Sequence, residues 1–174
     1  ALGAVPATAT AGQLTFTGGS LQTTANVTLA DNRGIALDVN STGLFLPDAA
    51  TTLTVNSIIA SGTGTGTTSG KLALGSATSG AIILNGVNTY AGDTILTQGT
   101  LILDKATAFG ASKRIQINGG VLQANQAQVF LGTDATGGLI FNGDHSTFAG
   151  TNNFAFNGLT VNWNGDRQVI NSLT

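Results

Sequence analysis

Gly80-Ala-Ile-Ile-Leu84-Asn85-Gly86-Val-Asn88-Thr-Tyr90-Ala-Gly92 returns, lightly altered, as Gly138-Leu-Ile-Phe141-Asn142-Gly143-Asp-His-Ser-Thr-Phe148-Ala-Gly150. A phrase that recurs within one chain means that one piece of backbone is being built twice. That points to stacked repeats rather than a single globular core. A second recurrence agrees: Ala1-Leu-Gly3-Ala4 resembles Ala108-Phe-Gly110-Ala111, and Leu14-Thr-Phe16-Thr-Gly18-Gly19-Ser-Leu21-Gln22 resembles Ile115-Gln-Ile117-Asn-Gly119-Gly120-Val-Leu122-Gln123. The chain thus opens partway through a unit and holds no methionine, so it reads as a processed chain or a segment of something longer.

The alphabet is one of strands and turns. Charged residues make up 8% of the 174 positions, where a soluble domain averages about 25%. All eight acids are aspartate, and scarce Glu, Lys and Arg argue against helix. The 25 glycines are about twice the usual share, and Thr and Asn crowd the remaining polar positions. A mean hydropathy of +0.25 raises the question of a membrane. No apolar run approaches the roughly 18 residues of a spanning helix, so no membrane span is expected in this segment.

Short runs bounded by Gly, Asn or Asp recur about every ten residues, as in an all-β architecture. The expected strands are 13–16, 20–22, 26–29, 34–39, 43–46, 52–55, 71–74 and 81–84. They continue at 94–97, 100–103, 114–117, 121–124, 128–131, 139–141, 159–162 and 168–170. Apolar residues sit two apart in Leu14/Phe16, Val27/Leu29, Leu44/Leu46, Leu53/Val55, Leu72/Leu74, Leu101/Leu103, Ile115/Ile117 and Leu159/Val161. Period two places them on one dry face, with threonine, glutamine and asparagine on the other.

Strands of three or four residues are awkward in a sandwich and comfortable in a β-solenoid, where they pair with equivalents above and below. At roughly 20 to 25 residues per coil and about 4.8 Å per step, the chain would make about seven to nine coils, a rod on the order of 40 Å long. Residues 1–174 therefore read as one solenoid segment. Ser61 to Gly70 has the composition of a flexible linker, and a ten-residue loop leaving a coil fits as well. Strand patterns resume unchanged on both sides, which favours the loop.

Gly80 to Asp104, with Asn88-Thr89-Tyr90, Gly92, Thr94 and Gly99-Thr100-Leu101, resembles the autotransporter-associated β-strand repeat of bacterial surface proteins. Gly18-Gly19-Ser-Leu21-Gln22, Asn32-Arg33-Gly34 and Ala108-Phe-Gly110-Ala111 are similar to the flanks of that repeat, and 138–150 reads as a partial second copy. The resemblance covers most of residues 1–131 and implies a right-handed parallel β-helix. It also implies export to the outer-membrane surface or beyond, as a stalk or scaffold without a catalytic site. Asp93 stands where a glycine is usual. Independently of any family, Asn85-Gly86 and Asn118-Gly119 suit positive φ at a corner. Asn88 suits amide stacking between coils, and Tyr90 a position over a corner.

Chemistry is sparse. The one histidine, His145, stands between Asp144 and Ser146, but neighbours in sequence rarely converge on one substrate, and a turn insertion explains them. Asp31, Asp38 and Asp48 could fall on successive coils, as could Asp93 and Asp104, forming a carboxylate or calcium cluster. Each also sits where aspartate caps a turn. Trp163, near Asp166 and Arg167, is either a sugar-gripping aromatic or coil packing in the run Leu159-Val161-Trp163. No catalytic residue, metal ligand or cofactor is expected, and the scattered basic residues give no nucleic-acid surface. The absence of cysteine excludes disulfides and thiolate metal sites and suits a secreted chain.

The first functional expectation is thus a non-catalytic extracellular stalk, with other cell-surface or matrix components as partners. The alternative is a filament subunit that self-associates through open β-helix ends into a homopolymer. Neither terminus carries the charges that protect a strand edge: Ala1 to Gly12 has one proline and no charge, and Gln168 to Thr174 has no charge. A carbohydrate-binding or carbohydrate-active β-helix is the third.

Overall fold

Short alternating runs become strands here because most bury one side chain in two, Arg33–Leu37 being buried throughout, and each finds its hydrogen-bond partners in another run, one visit away along the chain. A computed structural model describes residues 2–112 and 114–125, and beyond them the strand backbone at 128–129, 138–141, 147–150, 154–155, 161–163 and 169–170. Every regular element among the described residues is a strand. No helix among them is long and apolar enough to cross a membrane.

The first visits to the sheets are β1 (Thr10–Phe16), β2 (Ser20–Thr23) and β3 (Val27–Leu29), then β4 (Arg33–Leu37), β5 (Thr42–Pro47) and β6 (Thr52–Val55). Next come β7 (Ile59–Ser61), β8 (Lys71–Leu74), β9 (Ala81–Leu84), β10 (Thr94–Leu96), β11 (Thr100–Leu103), β12 (Arg114–Ile117) and β13 (Val121–Ala124). The remaining strands are β14 (Gln128–Val129), β15 (Gly138–Phe141), β16 (Thr147–Gly150), β17 (Phe154–Ala155), β18 (Val161–Trp163) and β19 (Val169–Ile170).

They pair in parallel throughout. One seven-stranded sheet runs β2-β5-β8-β10-β12-β15-β18, and a second runs β3-β6-β9-β11-β13-β16-β19. A three-stranded sheet β1-β4-β7 accompanies the first visits, and β14 pairs with β17. The chain therefore calls at the sheets in a fixed cyclic order, and each new strand lies beside the one laid down a visit earlier. An antiparallel bridge joins Asp48 to Ser79 outside the named strands.

Register lines the inward side chains up in columns. Leu53, Ile82, Leu101 and Leu122 form one, and Phe45, Leu74, Leu96 and Ile117 another. All eight belong to one continuous buried cluster. Each such side chain contributes about 1.5–3 kcal/mol by leaving water. Phe16 adds a tilted ring contact to Phe45, with centroids 5.6 Å apart.

Several expectations require correction. Leu44 and Leu46 do not face inward: Gly43, Phe45 and Pro47 are the buried residues of β5. Gly-Leu-Phe-Leu-Pro holds two interleaved apolar sets, so period two alone cannot choose between them. The columns above and below place Phe45 over Leu21 and under Leu74. Strands β7, β16 and β17 were not expected, because runs such as Ile59-Ala60-Ser61 carry almost no alternation. The register of β7 comes from pairing with β4.

Positive φ is also placed differently. Asn85, Gly86, Asn118 and Gly119 are not among the residues with positive φ, whereas Gly99 and Gly120 are, at 84° and 83°. These two sit one above the other before β11 and β13, and a Cβ on Gly120 would overlap the Gly99 carbonyl oxygen. The recurring phrases themselves fall on different sheets. Gly80 to Gly92 gives β9 and then a strandless corner, while Gly138 to Gly150 gives β15 in the other seven-stranded sheet and then β16. Likewise the 14–22 phrase forms β1 and β2, and its partner at 115–123 forms β12 and β13. The recurrence encodes strand, corner and strand. It does not encode which sheets they join.

Candidate functional site

The three-stranded sheet ends at β7, and the chain covers that edge with side chains and loop backbone. Ile59 N donates to Asn88 Oδ1 at 2.8 Å, and Thr89 N donates back to Ile59 O at 2.8 Å. Ala91 N reaches Ser61 Oγ at 3.1 Å. On the opposite side Asn88 Nδ2 donates to Ala108 O at 2.6 Å, and Ala111 N to Tyr90 O at 2.9 Å. Asn88 is thus not part of an amide stack. Buried backbone groups at a strand edge must be paired, and one amide satisfies a donor below and an acceptor above. Amide-to-amide pairing occurs instead between Asn85 Nδ2 and Asn56 Oδ1, at 3.0 Å.

Tyr90 does not lie over the corner; it is wholly buried within it. Its hydroxyl is 2.6 Å from Thr94 Oγ1, which is 3.0 Å from Ser112 Oγ, which donates to Gly92 O at 2.7 Å. Thr94 occupies an inward register position between Leu72 and Ile115, where an apolar residue would be expected. A hydroxyl there would cost stability if it were left unpaired, and the relay removes that cost. Burial pushes the Tyr90 phenol well above its ordinary pKa, and the Thr94 hydrogen bond lowers it by less. A neutral phenol sealed from solvent can hold neighbours together but cannot act as a base or nucleophile. Ser112, and the buried role of Thr94, escaped the sequence because threonine and serine read as outward-facing. The available signals were the place of Thr94 in the motif of Gly80 to Asp104 and its phase with Leu96.

The aspartates among the described residues are dispersed. Asp38 Oδ1 accepts Val39 N at 3.0 Å and Gly64 N at 2.8 Å, which ties the Gly62–Gly70 loop to the β4–β5 turn. Asp48 accepts Gln22 Nε2 at 2.8 Å, Asp93 meets Lys71 Nζ at 3.2 Å, Asp104 accepts Asn125 Nδ2, and Asp31 is exposed. Among the described residues no three metal-binding side chains gather. Asp144, His145, Ser146, Asp166, Arg167 and the Trp163 side chain lie outside the described residues.

Two grooves remain. One, of about 390 Å³, runs past Thr15, Ala36, Asp38, Ala60 and the Gly62–Gly64 backbone and contains no aromatic side chain. The other, of about 520 Å³, lies at the β2/β3 end between Leu2 and Val5 on one wall and Leu21, Thr23, Val27 and Leu29 on the other. This end is not bare, contrary to the expectation from the uncharged first 12 residues. Arg33, 4% exposed, donates to Leu2 O at 2.6 Å and Gly3 O at 2.9 Å, and Asn32 Nδ2 reaches Pro6 O at 3.1 Å. The charge that holds the segment comes from β4, not from the segment itself.

No family model, no curated protein and no solved structure matches the chain.

Proposed function

We propose that the chain is a right-handed parallel β-helix and works as a non-catalytic structural stalk or scaffold at a bacterial cell surface. The observation that carries the reading is the cyclic order of the sheets. A strand that rejoins its own sheet in parallel after each circuit must wind, and parallel crossovers are right-handed in nearly all cases. Repeating hydrogen bonds along one axis give a stiff object whose contacts are between neighbours only. The likeness of Gly80 to Asp104 to the autotransporter-associated β-strand repeat supports the location and the role. The buried, paired corner at Asn88, Tyr90 and Thr94, completed by Ser112, supports a structural reading of the residues that carry the resemblance.

An experimental structure of the chain, combined with a glycan array and a polysaccharide hydrolysis screen, tests this. Seven rows at about 4.8 Å predict parallel strands stacked over an axial span of roughly 30 Å. Neither glycan binding nor hydrolysis is expected. Facing antiparallel layers or a closed barrel in that structure, or a sugar held in the groove beside Asp38, would overturn the reading.

A further inference from the structure

We propose that the outer face of the second seven-stranded sheet, over β3, β6, β9, β11 and β13, is an ice-binding surface. Leu53, Ile82, Leu101 and Leu122 point into the core, so the residues on either side of each point out. Register stacks these outward residues in two columns. Thr52, Ala81, Thr100 and Val121 form the first. Thr28, Thr54, Ile83 and Ile102 form the second. Pairing passes from β3 to β13 without a shift of register, which fixes the spacing at about 4.8 Å between rows and about 6.7 Å between columns. Oxygen atoms repeat at distances close to both on the surface of ice. An array of constant pitch can therefore hold water at lattice positions, which an irregular or mobile surface cannot.

The chemistry of the face suits the same occupant. Its eight residues are all Thr, Ala, Val or Ile; Thr28 is exposed and the others are partly so. The hydroxyls of Thr28, Thr52, Thr54 and Thr100 make no hydrogen bond among the described residues, whereas those of Ser41 and Thr51, at corners, are taken up by backbone carbonyls. Methyl groups restrict the water beside them, and unengaged hydroxyls can pin it in place.

Charge decides between occupants. Ice is a neutral lattice, and these columns carry no charge to hold a competing hydration shell. The first seven-stranded sheet turns Lys71 and Arg114 outward and so lacks the property. A protein partner would be gripped by aromatic or arginine anchors, and an anionic membrane by lysine or arginine. The two columns offer none of these.

Ice-affinity partitioning and thermal hysteresis of the full chain test this, with circular dichroism as the check on folding. The wild type should concentrate in slowly growing ice and shape its crystals. Thr54→Lys and, separately, Ile83→Lys put a charge in the middle of the face and should abolish both effects. Gln116→Lys puts the same charge on the outer face of the first sheet and should leave both unchanged. If Thr54→Lys lost its strand signal, Ile83→Lys would decide. Exclusion of the wild type from ice would overturn the proposal. So would incorporation that the two variants of the face leave intact, or that Gln116→Lys removes equally. None of these outcomes depends on the hand of the winding or on a role as a stalk.

Discussion

The rows up to β7 and the rows from β8 to β13 share one buried cluster but are closed in different ways. In the first part a third sheet, β1-β4-β7, supplies a backbone ladder, and side-chain contacts between successive rows span 26 residues, as in Gln22 to Asp48 and Asp38 to Gly64. In the second part the third sheet is gone, and equivalent contacts span 20 or 21 residues, as in Asn88 to Ala108 and Asn125 to Asp104. A strand can be exchanged for a corner only if something else satisfies the edge it leaves behind. Asn88 Oδ1 and the N–H groups of Thr89 and Ala91 do so here.

The largest effect should come from the part the two regions share. Phe45→Ala removes a fully buried ring from a column common to both and should cost about 3–5 kcal/mol in denaturant unfolding. Asn88→Ala is the direct challenge to the comparison. It strips the Ile59 donor and the Ala108 acceptor of their partner, and a loss of about 2–4 kcal/mol is expected. A loss below about 1 kcal/mol would mean that the corner does not replace the strand.

Tyr90→Phe should cost about 1 kcal/mol at neutral pH and also change the alkaline profile. Because burial raises the phenol's pKa in the folded state, its contribution is complete below the ordinary tyrosine value of about 10 and falls as pH rises beyond it. Wild-type stability should therefore drop above about pH 10 more steeply than that of the variant. The chain has one tyrosine, so phenolate absorbance reports this group alone and should appear only with unfolding. Lys71→Ala, which opens a half-exposed ion pair, should change stability by less than about 1 kcal/mol.

Most strands were legible because alternation survives even in runs of four, as in Lys71–Leu74 and Thr100–Leu103. Inward phase was legible only where one apolar set was present. In β5 two sets competed, and contacts with Leu21 and Leu74 decided the outcome. The corner was legible as a motif but not as a mechanism. Asn88 and Tyr90 stood out in the repeating phrase, yet their roles depend on Ile59 and Ala108, which lie 29 and 20 residues from Asn88. Arg33 reads as an ordinary basic residue until the carbonyls of Leu2 and Gly3 are found against it. Phrase recurrence misled for a related reason, since strand, corner and strand fit any two neighbouring sheets.

Because the ladder bonds all run from one row to the next, tension between the two ends would load them serially, never all together. Such a tether would extend at modest force by shedding rows singly. The Asn88 corner, which grips rows on both sides at once, would be where that peeling stalls.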